Sequence, residues 1–191
     1  MTDSSAPQLN PTLWRTCRVL AGRTRLALLQ AVLTGPDRSV SELARSLDIS
    51  EPRASQELRR LQSRGLLKRC PLRNHVVYLP CTDPQVPTAA PLLGILRRTM
   101  ATAPGRVEDL IQVAKGPAHE RRIRLIRLLM NADHTFSNLL SSAGLNPAAL
   151  RRHLAVLSQT GWIRRKGKSI RYAHPTHPLA RVLSKLIHSS G

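Results

Sequence analysis

The stretch SELARSLDISEPRASQELRRLQSRGLL, Ser41 to Leu67, is answered 96 residues later by SNLLSSAGLNPAALRRHLAVLSQTGWI, Ser137 to Ile163. Ser41 meets Ser137, Leu43 meets Leu139, Leu58 meets Leu154, Leu61 meets Leu157 and Gly65 meets Gly161. The match runs on through Arg69 and Arg165 to Tyr78 and Tyr172, its offset falling to 94 where the second copy has a shorter loop. A repeat of this length is too long for a solenoid unit and suits two small domains. We expect them at residues 9–103 and 104–191, with a polar, disordered start over 1–8.

Working outward, the first copy opens with predicted helices at Pro11–Leu20 and Arg23–Leu33, the second closed by Gly35-Pro36. A short helix at Ser41–Leu47, a three-residue turn and a long helix at Glu51–Arg64 follow. Ser50 is the expected N-cap, its hydroxyl accepting from an orphan backbone N–H, and Pro52 is harmless in the first turn. Ala54, Leu58 and Leu61 share a face, and Gly65 suits a left-handed helix end. Leu66–Arg69 and Val76–Leu79 predict a hairpin. The second copy repeats this order: Arg106–Lys115, Ala118–Met130, Phe136–Ser141, an N-cap at Asn146, and Pro147–Thr160. Its hairpin is Trp162–Lys166 and Ile170–Ala173, turning at Gly167. Apolar helices at Pro91–Thr102 and Pro178–His188 follow the two hairpins. Pro80–Pro91, with four prolines, predicts a stiff connector outside the core, and Ala103–Gly105 the domain boundary. Short helix, turn, long helix and basic hairpin make a winged helix-turn-helix. The fold class is therefore mainly α with small β-hairpin wings, as two tandem winged helices forming a pseudo-dimer.

The charge is as uneven as the pattern is regular. Thirty Lys and Arg oppose eleven Asp and Glu, a net +19, and no acid follows Asp133. A solubilising surface usually mixes both signs, so the excess favours a polyanionic partner, nucleic acid first and an anionic membrane second. Membrane is disfavoured: no apolar run is long enough to span and no lipidation motif occurs. Three cysteines, Cys17, Cys70 and Cys81, lack metal-ligand spacing, and no secretory signal precedes them, so they read as cytosolic thiols. No phosphate loop, GxSxG, HExxH or acidic cluster supports catalysis, and no cofactor is implied.

The polar face of the first long helix offers Arg53, Ser55, Gln56, Arg59 and Arg60 behind Ser50. Arg can fork onto guanine and Gln can bond adenine, so this helix is the expected base reader. The second long helix offers Ala148, Ala149, Arg151, Arg152 and Ala155 behind Asn146, with fewer groups that distinguish bases. Its wing, Arg164, Arg165, Lys166, Lys168 and Arg171, is dense and suits phosphate. The first wing, with Lys68, Arg69, Arg73 and His75, is looser. Leu58, Leu61, Leu154 and Leu157 are core, Trp162 is a packing anchor, and Tyr78 and Tyr172 are expected to pack.

Arg23-Thr24-Arg25-Leu26-Ala27-Leu28-Leu29, with Ser41-Glu42-Leu43-Ala44 through Gly65-Leu66-Leu67, resembles the ArsR-type winged-helix repressors. Arg122–Leu129 through Gly161-Trp162-Ile163 is a weaker echo. The resemblance implies a cytoplasmic, nucleoid-associated transcriptional regulator that represses. It also implies dimerisation through first and last helices, which two copies in one chain would replace by an intramolecular pseudo-dimer, a homodimer remaining the alternative. Soft-metal sensors of that family carry a Cys pair on the short helix, absent here. Another branch uses last-helix ligands, of which His177 and His188 match in separation while Pro175 and Gly191 occupy the other positions. No metal site is expected. Two other readings remain: a winged-helix protein-docking or chromosome-associated structural protein, and an RNA-binding module, which would want an aromatic platform.

Overall fold

The computed structural model describes residues 12–35, 37–72, 75–102 and 107–189. The expected disordered start, Pro11, Pro36, the wing residue Arg73, the boundary Ala103–Gly105, Arg106 and Gly191 lie outside the described residues. Helices α1 (Leu13–Leu20), α2 (Arg23–Thr34), α3 (Val40–Ser46) and α4 (Glu51–Gln62) lead to strands β1 (Lys68–Leu72) and β2 (His75–Leu79). Helix α5 (Ala89–Thr102) follows, then α6 (Val107–Lys115) and α7 (Glu120–Asn131). The second copy continues with β3 (His134–Thr135), α8 (Phe136–Ala143), α9 (Pro147–Gln159), β4 (Ile163–Lys166), β5 (Ser169–Tyr172) and α10 (Pro178–Ser189). This is the tandem winged-helix architecture read from the repeat.

The chain divides into two compact units. The first takes Gly22–Glu108, and the second takes Leu13–Ala21 together with Asp109–Gly191. This division differs from the expected one in two ways. The boundary falls inside α6, and α1 is counted with the second unit rather than the first. The physical reason lies in the apolar face of α1: Leu13, Cys17 and Leu20 are buried, and Cys17 senses the charge of Arg122 on α7.

In the first unit, α4 presents Ala54, Leu58 and Leu61 to the core, all fully buried. Strands β1 and β2 pair antiparallel, with Arg69 opposite Tyr78, and Ser39 adds an isolated bridge to Val77. Ser39 also closes a capping box on α3, accepting from the Glu42 amide while the Glu42 carboxylate accepts from Ser39. Ser50 departs from expectation. Its backbone is extended as an N-cap requires, but its side chain makes no capping hydrogen bond. The hairpin starts two residues later than expected, because Leu66 and Leu67 are spent as buried core.

The connector also differs. Val86 and Ala89 are buried, and α5 begins at Ala89, ahead of Pro91. A Cβ on Gly65, whose φ is +69°, would meet Asp83, Val86 and Ala89 at 3.0–3.1 Å. The proline-rich stretch is therefore folded down onto the end of α4, where only glycine leaves room.

The second unit repeats the plan with a true third strand, in the order β3-β5-β4. Thr135 and Asn146 cap α8 and α9 by accepting from Asn138 and Ala149 amides. Trp162 is fully buried and its indole N–H donates to the Val113 carbonyl at 3.0 Å. Tyr78 is buried, and the Tyr172 hydroxyl shares a hydrogen bond with Ser184 of α10.

Candidate nucleic-acid interface

Burial of one leucine face leaves the opposite face of each long helix to solvent. On α4, Arg53, Gln56, Arg59 and Arg60 are exposed and Ser55 is half-buried, so five predicted readers share one surface. Pro52, Arg53, Ser55, Gln56 and Arg59 outline an open concavity along it. Arg59 donates to the Ser55 hydroxyl at 3.2 Å, and Arg53 reaches the Thr24 hydroxyl at 3.4 Å. Ser50 is exposed at the helix start, its hydroxyl uncommitted to the cap.

Arg60 is held differently. It pairs with Glu57 at 2.9 Å, and the other carboxylate oxygen of Glu57 accepts from Arg25 of α2 at 2.8 Å. Glu57 is only 8% exposed. Burial alone would push its carboxyl up, but the hydrogen bond and charge of Arg25, joined by Arg60, hold it below its ordinary value. Sequence reasoning had missed Glu57. Its signal was present, since Ala54, Glu57, Leu58 and Leu61 fall on one helical face.

On α9, Ala148, Arg151, Arg152 and Ala155 are exposed, while Ala149 is buried and leaves the expected polar face. Its backbone N–H donates to the Asn146 side-chain oxygen at 2.8 Å. Asn146 thus spends its carbonyl oxygen on the cap. The Arg151 guanidinium lies 5.5 Å from the Phe136 ring centroid. Arg151, Arg165 and Lys168 converge with Thr135 and Ser137 on a cavity of about 620 Å³ between α9, the wing and the start of α8. Thr135 and Ser137 were not anticipated; only the hydroxyl pattern before Asn138 could have marked them.

The second wing exposes Arg164, Arg165, Lys166 and Lys168, with the turn made at Gly167 (φ +61°). Arg164 stands directly opposite Arg171 across the ladder. Like charges so placed destabilise a hairpin, and Asp133, paired with Arg171 at 2.7 Å, offsets it. The first wing's Lys68, Arg69 and His75 are exposed.

Other predicted features sit apart from this surface. His177 Nδ1 accepts from the Leu179 amide and so marks the entry to α10. Among the described residues, no three His, Cys, Asp or Glu side chains gather as metal ligands, and no helix is long and apolar enough to cross a membrane.

Two family models match the chain. The MarR family model covers residues 22–75, and the model of the bacterial regulatory protein arsR family covers residues 119–165. The ArsR match therefore falls on the second unit, the weaker echo of that family in the sequence, and the first unit matches the MarR model. No curated protein and no solved structure matches the chain. Both matched families are DNA-binding transcriptional regulators and not enzymes.

Proposed function

From two tandem winged helix-turn-helix domains of the ArsR/MarR type, we propose a sequence-specific repressor that binds double-stranded DNA in the cytoplasm, at the nucleoid. Helix α4 enters a major groove and reads bases with Arg53, Gln56 and Arg59, while Ser50 and Ser55 contact backbone. Helix α9 and the second wing grip phosphate through Arg151, Arg152, Arg164, Arg165, Lys166 and Lys168, with Asn146 at the helix start. Arg60 and Arg171, each paired with a carboxylate, position their neighbours and contribute charge. One chain supplies two unlike reading helices, so it acts as a monomer on an asymmetric site.

The observation that carries this reading is the second wing. Evolution of a docking surface has no reason to set Arg164 against Arg171 beside Arg165, Lys166 and Lys168. A polyanion relieves that repulsion. Selection from random duplex DNA tests it: an enriched, non-palindromic motif is expected, with log affinity falling steeply against log salt, by about 0.9 per phosphate neutralised. Absence of any enriched motif together with salt-insensitive binding would instead mark a protein-docking module.

A further inference from the structure

The two copies differ in charge where they agree in shape. Ser41–Leu67 carries four acids, Glu42, Asp48, Glu51 and Glu57, and the positions that answer them hold Asn138, Gly144, Pro147 and His153. Glu57 is spent inside the first unit on Arg25 and Arg60, but Glu42 is exposed. Its carboxylate accepts from the Ser39 amide and the Ser39 hydroxyl, both at 2.7 Å, and that hydroxyl lies 3.1 Å from the hydroxyl of Ser41. Those hydrogen bonds first, then the charges of His75 on the wing and of Arg38, hold the carboxyl below its ordinary value, so it is ionised at neutral pH. A negative oxygen is built into this corner of α3 and the first wing.

The same corner of the second unit keeps the hydroxyls and lacks the acid. Thr135 and Ser137 answer Ser39 and Ser41, while Asn138 answers Glu42. The Asn138 backbone N–H donates to the Thr135 hydroxyl at 3.2 Å, which leaves that hydroxyl its own proton to donate. Arg151, Arg165 and Lys168 surround the cavity of about 620 Å³ that Thr135 and Ser137 line, and none of the described residues lining it is a carboxylate. Phe136 holds the Arg151 guanidinium over its ring there. Ser39 to Glu42 is a complete capping box, and Thr135 to Asn138 is one without its acid.

We propose that Glu42 stands in for a DNA phosphate: it closes, in the first unit, the seat that a backbone phosphodiester takes in the second. This rests on the DNA binding proposed above and adds that the two units grip the backbone unequally. A phosphodiester brings two oxygens that share one negative charge, which the Arg151 fork and the two hydroxyls can meet together. In the first unit the same phosphate would meet Glu42 on Ser39, and like charges in one seat repel. The first unit therefore reads bases without holding backbone at this corner, and the second unit supplies the hold.

Two exchanges in the full chain test this, read by fluorescence anisotropy of a random-sequence duplex across a salt series. Glu42→Gln opens the first seat and keeps a residue that can complete the capping box. Affinity should rise at least about threefold near 0.1 M salt, and the slope of log affinity against log salt should steepen by about 0.9, one phosphate more. Asn138→Glu puts the missing acid into the second unit, so affinity should fall by a similar factor and the slope flatten by about 0.9. Asp109→Asn and Gln112→Glu make the same two charge changes on α6 and should leave the slope within about 0.3 of the unaltered chain. An equal response to the α6 exchanges would make the effect one of net charge and overturn the seat. If Glu42→Gln fails to fold, Asn138→Glu, which adds a capping partner, still decides. Inorganic phosphate exchanged for chloride at constant ionic strength identifies the occupant. It should displace duplex equally from the unaltered chain and from Asn138→Glu; displacement confined to the unaltered chain would overturn the diester in favour of free phosphate. Unchanged slopes in both corner variants of a chain that binds duplex refute this inference alone, whereas a chain that binds no duplex at any salt refutes the DNA reading with it.

Discussion

His119 and His153 lie 4.8 Å apart between ring centroids, in the second unit, amid Arg18, Arg121, Arg122 and Arg152. Burial first, then these neighbouring cations, push both imidazoles below their ordinary value, against only Glu120 on His119. His119 Nδ1 also accepts from the Arg121 amide at the start of α7, which it can do only unprotonated there. Because the folded values are depressed, the unfolded chain takes up protons first as pH falls through about 6.5, and stability declines. Melting temperature should therefore drop between about pH 7.5 and pH 5.5. His119→Asn keeps a capping acceptor and removes one titrating group, so its drop should be shallower; an equally steep drop would exonerate the pair. Glu57 acts in the same direction, at more acidic pH. Its depressed carboxyl contributes stability above the ordinary carboxylate range, which is lost as pH falls through the folded value. Glu57→Ala should cost about 2 kcal/mol in urea denaturation, since two guanidinium groups lose the carboxylate they share. The inward position of Glu57 was legible from its helical stripe. Its partner Arg25 was not, because a contact 32 residues away leaves no local pattern.

At the scale of elements, hydrophobic period and turn residues were enough to find both long helices, both hairpins and the helices that follow them. What they did not show was the course of residues 80–88. Prolines mark the chain as extended, yet a single buried valine, Val86, decides that it packs against Gly65. Gly65→Ala combines a forbidden φ with a Cβ in tight contact, so it should destabilise the first unit by roughly 2 kcal/mol or more, read by chemical denaturation. Loss within a few tenths would mean the connector yields freely. The same scale separates the two proposed DNA contacts. Gln56→Ala or Arg59→Ala should relax sequence preference, because α4 carries the groups that distinguish bases. Lys166→Ala with Lys168→Ala should weaken all duplexes alike and flatten the salt slope by about 2, one unit per phosphate contact. The reverse pattern in competition binding would exchange the roles of helix and wing. Strand β3 escaped the sequence, as two residues carry no period; their pairing with Ile170 and Ser169 is tertiary.

For the whole molecule the informative helix is the first. The residue-by-residue match begins at Ser41, beyond α1, so it does not say which copy the apolar face of α1 serves, and chain order suggests the nearer one. The compact units assign it to the farther: α1 belongs with Asp109–Gly191, and the chain visits the second unit, builds the first, and returns. Leu13, Cys17 and Leu20 are buried there, and burial drives the Cys17 thiol far above its ordinary value, so it is inert in the folded state. Two leucines at about 1.5–3 kcal/mol each make α1 worth several kcal/mol to that unit. Removing residues 1–21 should therefore destabilise the second unit and spare the first, although the deletion is contiguous with the first in sequence. Hydrogen exchange on the shortened chain reads this out unit by unit, with protection lost over α7 and α10 and kept over α4. Thiol labelling gives the complementary test on the intact chain. Exposed Cys81 should react quickly, while Cys17 should wait for unfolding. A deletion that unfolds Gly22–Glu108 instead would return α1 to the first unit, and rapid Cys17 labelling in native buffer would mean that its apolar face is not buried.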